Sequence, residues 1–216
     1  MSGSGISLRF EALMLSQGDL VLARDLSGTV RDGGALVVTG PNGSGKSTLL
    51  RALLGLHRAD KGIVTLALGG RDEPVAENAH YLGHGNAMKD DLTVGENLRF
   101  WAGLLGEGEA DALIDEAAGP LGLERLLDLP HGYLSAGQRR RAALARLWVA
   151  PRPLWVLDEP TAALDAASAR AVTEMIEAHR AEGGMVVAAT HVDLGLEGVT
   201  KLVLGEAVAD PMPTSA

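Results

Sequence analysis

Gly40–Ser47 reads Gly-Pro-Asn-Gly-Ser-Gly-Lys-Ser and directly follows the short apolar run Ala35–Thr39. The segment matches the pattern G-x-x-x-x-G-K-[ST], and a helical pattern begins at about Lys46. Glycines allow the main chain to curl until its N–H groups face phosphate oxygens, and the start of a helix adds partial positive charge. A glycine-rich turn that matches by chance is the alternative. The order of strand, glycine loop and helix favours a phosphate-binding loop.

The side chains of this loop predict how a nucleotide would be held. Lys46 would hold the β and γ phosphates of ATP as a point charge, and the Ser47 hydroxyl would bind Mg²⁺. The other candidate nucleotide-binding residues of the loop and the first helical turn are Gly40, Pro41, Asn42, Gly43, Ser44, Gly45 and Thr48. ATP and Mg²⁺ are therefore the predicted ligands.

A second predicted strand supplies the carboxylates that such a loop requires. The apolar run Leu154–Leu157 ends in Asp158 and Glu159. Asp158 would bind Mg²⁺ directly or through water. Glu159 would act as the general base that polarises the attacking water. An ordinary acidic turn after a strand is the alternative, and the glycine loop makes it the weaker one.

Composition argues against several other classes of protein. The chain has 216 residues, of which 46% are hydrophobic and 22% are charged, as is typical of a soluble domain. Its net charge of −9 argues against a protein that neutralises a nucleic-acid backbone, so no nucleic-acid partner is predicted. The sequence contains no cysteine, which excludes disulfides and thiolate metal sites. No apolar run approaches the roughly 18–20 residues that span a bilayer, so we expect a soluble chain.

The order of predicted elements indicates an α/β core interrupted by helices. Strands are predicted at Ile6–Leu15, Leu20–Leu22, Ala35–Thr39, Ile63–Leu68, Ala79–Leu82, Leu154–Leu157, Met185–Ala189, Thr200–Leu204 and Glu206–Ala209, with a turn at Gly69–Pro74. Helical patterns cover about Lys46–Leu56, a segment from Thr93, Glu109–Ala118, Leu121–Leu127, Leu134–Ala150 and Ala166–Glu182. Thr93 and Glu96 have the spacing of a capping box, which marks a helix start. Residues 211–216 are predicted to form a disordered tail.

A third motif, Leu134–Gln138, reads Leu-Ser-Ala-Gly-Gln and precedes a long helical pattern. Ser135 and the amide of Gly137 lie at the predicted start of that helix, which is a second potential anion site. A helix that Ser135 caps without any ligand is the alternative. The basic run Arg139–Arg141 predicts a solvated and partly structural helix face. Together with the glycine loop and the acidic strand end, this motif resembles the signature sequence of ATP-binding cassette (ABC) ATPases.

The resemblance implies a homodimer in which two nucleotides lie between head-to-tail copies. In the family, Ser135 and Gly137 of one copy would close on the γ-phosphate that lies over Lys46 of the other. Gln138 belongs to the same nucleotide-binding segment. The sequence Ala-Leu-Asp that ends at Asp165 resembles the family's D-loop, so Asp165 would contact the partner's site.

Three further positions follow from the resemblance. His191, after the predicted strand Met185–Ala189, resembles the switch histidine that hydrogen-bonds the γ-phosphate. His84 stands where most members carry the glutamine of the Q-loop, and its imidazole can still hydrogen-bond lytic or metal-bound water, so it is a catalytic candidate. The aromatic residue that usually stacks on adenine is missing, because its expected position falls near Gln17, and Ser16–Asp19 contains no aromatic.

The resemblance also implies the fold. Members of the family have an α/β P-loop NTPase fold with a RecA-like core, an N-terminal antiparallel β subdomain and an inserted α-helical subdomain. We therefore expect one ATP-binding domain over residues 1–210, with the helical subdomain at approximately 85–150.

Several shorter sequence segments are similar to those of the ATPase family of the cytochrome c maturation haem exporter. They are Tyr81–His84, the pattern Leu134–Trp148 with its Ala-Arg-Leu-Trp ending, and Asp193–Leu196. This similarity implies a peripheral subunit on the cytoplasmic face of the bacterial inner membrane, bound to integral permease subunits of the cytochrome c maturation system. There, ATP hydrolysis would drive haem export or release of haem from its periplasmic chaperone.

Other functions stay open. The chain could be the ATPase of another small-substrate ABC transporter, or a soluble ABC ATPase without a channel. The second class usually carries two cassettes in one chain, coiled-coil insertions or basic patches, none of which is visible. A P-loop nucleotide kinase has no use for the signature motif.

The segment between His84 and Leu134 is the predicted docking site for a membrane partner. Phe100 and Trp101 are two of the chain's few aromatic residues and are adjacent in this segment. The alternative is that both side chains fill the interior of the helical block.

Overall fold

The computed structural model describes residues 5–105 and 110–205. The strands among these residues are β1 (Ser7–Gln17), β2 (Leu20–Arg31), β3 (Ala35–Thr39), β4 (Lys61–Leu68), β5 (Arg71–Glu73), β6 (Ala79–Leu82), β7 (Leu154–Asp158), β8 (Met185–Ala189) and β9 (Thr200–Val203). The helices are α1 (Lys46–Leu53), α2 (Val94–Leu105), α3 (Ala110–Ala118), α4 (Ala136–Val149) and α5 (Ala166–Ala181). Short 3-10 turns lie at Val75–Glu77, Glu124–Leu126 and His131–Tyr133.

The chain divides into two compact units, which we call the sheet unit and the helical unit. Of the described residues, the sheet unit contains 5–81, 153–158 and 179–205. The helical unit contains 82–105, 110–152 and 159–178. None of the helices in the described ranges combines the length and hydropathy needed to span a membrane.

The first sheet of the sheet unit is antiparallel, with strand order β2-β1-β4-β5. Leu8 and Phe10 of β1 are buried, whereas Arg9 and Glu11 are exposed, so one face of the sheet is apolar and the other is polar. The pairing of β1 with β2 shifts between Phe10 and Leu13. Within this shift Ala12 has a left-handed φ of 48°. The irregularity is a β-bulge that bends the strand.

The second sheet has strand order β6-β7-β8-β3-β9. Strands β7, β8, β3 and β9 pair in parallel. Every residue of β7 and β8 is buried, and β3 is buried except at Thr39. Continuous burial is expected of parallel strands that are covered on both faces, and it explains why these runs are apolar without alternation.

One hydrophobic core lies within the sheet unit and joins its two sheets to α1. The largest fully buried side chains are contributed mainly by β1 and α1. The core residues of this cluster include Leu8, Phe10, Leu13, Leu15, Leu36, Val38, Leu49, Leu50, Leu53, Leu66, Leu154, Val156, Met185, Val187 and Ala189. Burial of these apolar side chains is the main stabilising contribution to such a fold.

The helical unit is built around α4. Six of its consecutive residues, Ala142–Leu147, are buried, so the helix has no exposed face over this stretch. Helix α2 begins at the predicted capping box: the amide of Thr93 donates to Glu96 Oε2 at 2.8 Å, and the amide of Glu96 donates to Thr93 Oγ1 at 3.1 Å. The predicted helical segment from Thr93 is thus confirmed together with the interaction that starts it.

The observed architecture confirms the predicted α/β fold with an antiparallel β portion and helices between its strands. Three elements differ from the sequence prediction. Strand β2 continues to Arg31 instead of ending at Leu22, because pairing with β1 accepts polar residues on the exposed face. The predicted turn Gly69–Pro74 contains the exposed strand β5, which pairs with β4.

The third difference is the segment Leu121–Leu127, which was predicted to be helical and holds only the 3-10 turn Glu124–Leu126. Gly122 has a left-handed φ of 59°, which interrupts a regular helix there. The predicted strand Glu206–Ala209 and the tail 211–216 lie outside the described residues.

An aromatic pair lies in the sheet unit, where the buried Trp155 of β7 stacks on the half-buried His179. Their ring centroids are 4.0 Å apart and their planes differ by 4°. A Cβ at Gly184 would overlap the His179 ring, so only glycine leaves room for the imidazole. Burial lowers the pKa of His179 to about 4, and a main-chain hydrogen bond with Met185 opposes this shift. His179 is therefore neutral at pH 7.

From the lowered pKa of His179 we expect the free energy of unfolding to decrease in acid. In the unfolded chain His179 has the ordinary pKa of 6.5, so protons bind the unfolded state more tightly. The contribution of neutral His179 to the free energy of unfolding is complete above pH 6.5. It is lost as the pH falls toward 4, by no more than ~1.4 kcal/mol per pH unit. Chemical denaturation between pH 7.5 and 4.5 measures the slope. His179→Phe keeps a ring beside Trp155 and should flatten it, and an equal slope in both proteins would contradict the prediction.

Candidate active site

Several predicted site residues lie at one edge of the parallel sheet. Val38 of β3 and Asp158 of β7 both pair with Ala189 of β8, so the three strands end at the same level. Strands β3 and β7 are separated by β8 alone, which places them roughly 10 Å apart. The glycine loop follows β3, Asp158 is the last residue of β7, and His191 follows β8.

The glycine loop has a main-chain path that other residues would block. Gly40 has a φ of 148°, and a Cβ there would lie 2.5 Å from the carbonyl oxygen of Leu204. Gly45 has a φ of 92°, and a Cβ there would lie 2.9 Å from Cβ of Leu22. Both positions require glycine for the turn and for the close approach of neighbouring chain segments.

The start of α1 has the properties of an anion site. Its N-cap is Gly45, which has no side chain that could accept a hydrogen bond from the first amides of the helix. Ser44 is 1% exposed, and its hydroxyl has no hydrogen-bond partner in the described part of the chain. An uncapped helix start beside an unpartnered buried hydroxyl fits a phosphate group, whose oxygens accept from both.

Lys46 is held in place by the loop itself. The residue is 9% exposed, and Nζ donates to the carbonyl oxygens of Gly40 at 2.8 Å and Pro41 at 2.9 Å. These two bonds fix the ammonium at the loop, and the sequence did not reveal them.

The metal candidates also belong to the sheet unit. Asp158 is 1% exposed, and Ser47 is half-buried in the first turn of α1. No group of three or more His, Asp or Glu side chains suited to a metal ion occurs within residues 5–105 and 110–205. One carboxylate and one hydroxyl are nevertheless the donor set that Mg²⁺ uses when phosphate oxygens supply further ligands.

His191 is exposed at the end of β8. The amide of the preceding residue, Thr190, donates to the carbonyl of Val38 at 3.1 Å, which ties this strand end to β3. Within the sheet unit, His191 lines a cleft of about 380 Å³ together with Thr39, Gly40 and Lys201. The predicted switch histidine and the glycine loop thus border the same cleft.

In the helical unit, Ser135 is the N-cap of α4. Its hydroxyl accepts from the amide of Gln138 at 3.3 Å, and the Gln138 side chain accepts from the amide of Ser135 at 2.8 Å. This capping box gives both side chains a structural role. Ser135 is exposed, so its hydroxyl also faces solvent.

Gly137 has a packing role that the sequence interpretation did not include. A Cβ at this position would lie 2.9 Å from the carbonyl oxygen of Ala163. Close approach between the start of α4 and the loop before α5 therefore requires glycine, whatever approaches its amide. Asp165 caps α5, since its Oδ1 accepts from the amide of Ser168 at 2.7 Å, and this hydrogen bond lowers the pKa of the carboxyl.

Glu159 and His84 line one cleft of about 470 Å³ within the helical unit. Glu159 has a left-handed φ of 48°, which is uncommon for a residue with a side chain. Its carbonyl accepts from Nη2 of Arg140 at 2.8 Å and from the amide of Ala162 at 3.1 Å. The structure thus brings together two of the three predicted catalytic residues.

The basic run on α4 is less solvated than predicted. Arg140 is 6% exposed, and Arg139 and Arg141 are half-buried. Arg139 donates to the carbonyls of Leu134 and Gly132, and Arg141 donates to that of Leu121. The expectation of a solvated face is wrong for Arg140, because main-chain carbonyls replace water around its guanidinium.

Phe100 and Trp101 face different surroundings. The Trp101 indole N–H donates to the carbonyl of Ala87 at 2.9 Å, and the Arg146 guanidinium lies 4.6 Å from the ring centre. Phe100 is 44% exposed, with Lys89 Nζ 4.9 Å from its ring centre. Trp101 is half-buried, so the interior alternative describes it only in part, whereas Phe100 remains available at the surface.

Comparisons with known proteins agree with this architecture. Residues 23–162 match the family model described as ABC transporter. The cytochrome c biogenesis ATP-binding export protein CcmA of Agrobacterium fabrum is 51% identical over 201 residues, which are 91% of this chain and 94% of that protein. The protein of the same name from Mesorhizobium japonicum is 57% identical over 167 residues, covering 77% and 82% of the two chains.

Solved structures show the same fold. An ATP-binding subunit of an ABC transporter superposes with a TM-score of 0.81 at 23% identity, covering 91% of this chain and 85% of that one. A putative ABC transporter ATP-binding protein from Pyrococcus furiosus gives a TM-score of 0.78 at 25% identity, with coverage of 92% and 97%. The chain therefore belongs to the ABC transporter family, as a CcmA-like ATP-binding protein.

Proposed function

We propose that this chain binds and hydrolyses ATP as the energy-supplying subunit of an ABC exporter in cytochrome c biogenesis. ATP hydrolysis by this chain would drive haem export or the release of haem from a periplasmic chaperone. The observation that carries the ATPase assignment is the glycine loop. There a helix start without a side-chain cap, and a buried Ser44 hydroxyl that has no partner among the described residues, lie beside the fixed ammonium of Lys46. The relatives named for cytochrome c biogenesis support the cellular role.

Nucleotide binding would use the sheet unit. The main-chain amides of Gly40–Thr48 would donate to the phosphates, and Lys46 would neutralise the β and γ groups. Ser47 and Asp158 would hold Mg²⁺, which neutralises phosphate charge when bound. His191 would hydrogen-bond the γ-phosphate.

Hydrolysis would use Glu159 as general base. Its carboxylate would accept a proton from the attacking water as the bond between the γ-phosphorus and the bridging oxygen breaks, which yields ADP and phosphate. His84 would orient water by hydrogen bonding, in place of the glutamine that most family members carry. The cleft that His84 shares with Glu159 supports a joint role for these two residues.

We further propose that two copies enclose two nucleotides. The exposed Ser135 and Asp165, with Gly137 and Gln138, would face the nucleotide bound by the second copy. The start of α4 would contribute its partial positive charge to the γ-phosphate. The capping box supports this proposal because it holds the helix start in a defined conformation.

The membrane partners would be permease subunits, and the ATPase would lie peripherally on the cytoplasmic face of the inner membrane. Phe100 provides an exposed aromatic surface in the helical unit for such a partner. Affinity purification in mild detergent tests the cellular role directly. Co-purification of haem-handling membrane proteins would support it, and permeases unrelated to haem would contradict it.

Lys46→Ala should weaken binding of Mg-ATP by roughly 10- to 100-fold, because a charge-assisted contact to phosphate is lost. Isothermal titration calorimetry measures the dissociation constant. Lys61→Ala, which removes an exposed lysine from β4, serves as the control and should bind as tightly as the unaltered chain. Equal affinities in all three proteins would exclude the assigned role of Lys46.

Glu159→Gln should lower ATP turnover by roughly 10²- to 10⁴-fold while ATP binding persists, because the amide cannot accept the proton. The bound ATP should then trap a dimer that elutes earlier in size-exclusion chromatography. Glu174→Gln, an exposed change on α5, is the control for charge removal. Undiminished turnover in Glu159→Gln would rule out the general-base assignment.

Phe100→Ala should reduce recovery of the membrane subunits with the ATPase, because an apolar contact of the docking surface is removed. Quantitative mass spectrometry of the detergent-purified complex measures recovery. Ile63→Ala removes an exposed apolar side chain from β4, outside the predicted docking segment, and should leave recovery unchanged. Equal recovery in both variants would place the partner elsewhere.

A further inference from the structure

Arg140 contacts both chain segments that carry the catalytic candidates of the helical unit. Its Nη1 donates to the carbonyl oxygen of Gly83 at 2.7 Å. Its Nη2 donates to that of Glu159 at 2.8 Å, and Nε lies 3.4 Å from that of Pro160. Gly83 directly precedes His84 in the chain. One buried guanidinium therefore joins the main chain beside His84 to the main chain of Glu159.

The geometry of these contacts requires arginine. The planar guanidinium presents donors in several fixed directions, so it can hold carbonyls from separate segments at once. A lysine ammonium at the same place would keep the charge but would act from a single point. Lys46 illustrates this limit, because its Nζ binds two carbonyls that belong to consecutive residues.

The conformation of Glu159 gives these contacts a consequence. Its left-handed φ of 48° is held against the steric preference of a residue with a Cβ. Two donors meet its carbonyl, one from Arg140 and one from the amide of Ala162. The local main-chain conformation sets the direction in which a side chain leaves the main chain. Hydrogen bonds that hold the Glu159 carbonyl therefore also hold the direction of the Glu159 side chain.

Within residues 5–105 and 110–205, the neighbouring arginines make no such connection. Arg139 binds carbonyls just before α4, and Arg141 binds those of Leu121 and Gly122. Among the hydrogen bonds described for α4, those of Arg140 reach both Gly83 and Glu159. The cleft lined by His84 and Glu159 is also lined by Arg140.

We propose that Arg140 is a positioning residue that sets the main chain of Glu159 and of the segment ending at His84, and thereby aligns the general base for hydrolysis. The proposal rests on the proposed role of Glu159. Arg140 itself transfers no proton and binds no nucleotide in this scheme. It acts through Glu159, so its loss should lower the rate of the chemical step and leave ATP binding in place.

Steady-state kinetics provide the first test. Arg140→Met should lower kcat by roughly 10- to 100-fold with little change in KM for ATP, as expected when a catalytic group is misplaced by about 1 Å. Arg140→Lys keeps the charge and should recover only part of the rate. Arg152→Met is the control, because Arg152 also donates to main-chain carbonyls, and the two carbonyls, those of Leu105 and Pro151, do not adjoin a catalytic candidate in the chain. A kcat of Arg140→Met equal to that of Arg152→Met would overturn the proposal.

A double-mutant cycle with Glu159→Gln separates positioning from general destabilisation. If Arg140 acts through Glu159, then Arg140→Met should slow the residual turnover of Glu159→Gln by less than about twofold. A loss of 10-fold or more in that background would mean that Arg140 acts independently of Glu159, which would overturn the proposal. Thermal melting of each variant verifies folding, and Arg140→Lys replaces Arg140→Met in the cycle if the latter does not fold.

Hydrogen–deuterium exchange tests positioning without relying on activity. Arg140→Lys should increase exchange at the amide of Ala162, which donates to the Glu159 carbonyl, and in the segment after Gly83. Arg152→Met should leave both unchanged. If exchange rises but Glu159→Gln hydrolyses ATP normally, the general-base role fails while the structural linkage stands. Unchanged exchange in Arg140→Lys would overturn the linkage itself.

Discussion

The pairing of β3 and β7 with the central strand β8 is the constraint on which the sheet unit depends. It brings Val38 and Asp158 to the same level through a shared partner, Ala189. The glycine loop and the segment after Thr190 consequently leave the sheet along one edge. The buried carboxylate of Asp158 lies along the same edge. A register shift of one residue in β7 would turn Asp158 to the opposite face of the sheet. The chemistry of this edge is thus determined by main-chain pairing before any side chain is considered.

The helical unit meets a different requirement. Its catalytic candidates, His84 and Glu159, lie on loops, and loops have few repeated main-chain hydrogen bonds to hold them. Side chains of α4 supply the missing contacts: Gln138 and Ser135 close the helix start, and Arg140 binds carbonyls from two other segments. A largely buried helix can act in this way because its own position is fixed over much of its length.

The sequence predicted the elements whose pattern is local. The bounds of β3 and β8 agree with the prediction, since each is a short apolar run with no competing pattern. Strand β5 was missed because its residues are polar and exposed, so only its pairing with β4 identifies it. The burial of Arg140 was also missed. Its partners, Gly83 and Glu159, are distant in the chain and offer only carbonyls, which no residue type reveals.

The contacts of Lys46 have a consequence for the thermodynamics of binding. A free lysine side chain loses about 2 kcal/mol of rotamer entropy when it is immobilised. In this chain the carbonyls of Gly40 and Pro41 immobilise it, so that loss accompanies folding and need not accompany capture of a phosphate. The loop is preorganised: much of its ordering is complete before a ligand arrives, and the binding free energy is available for discrimination among ligands.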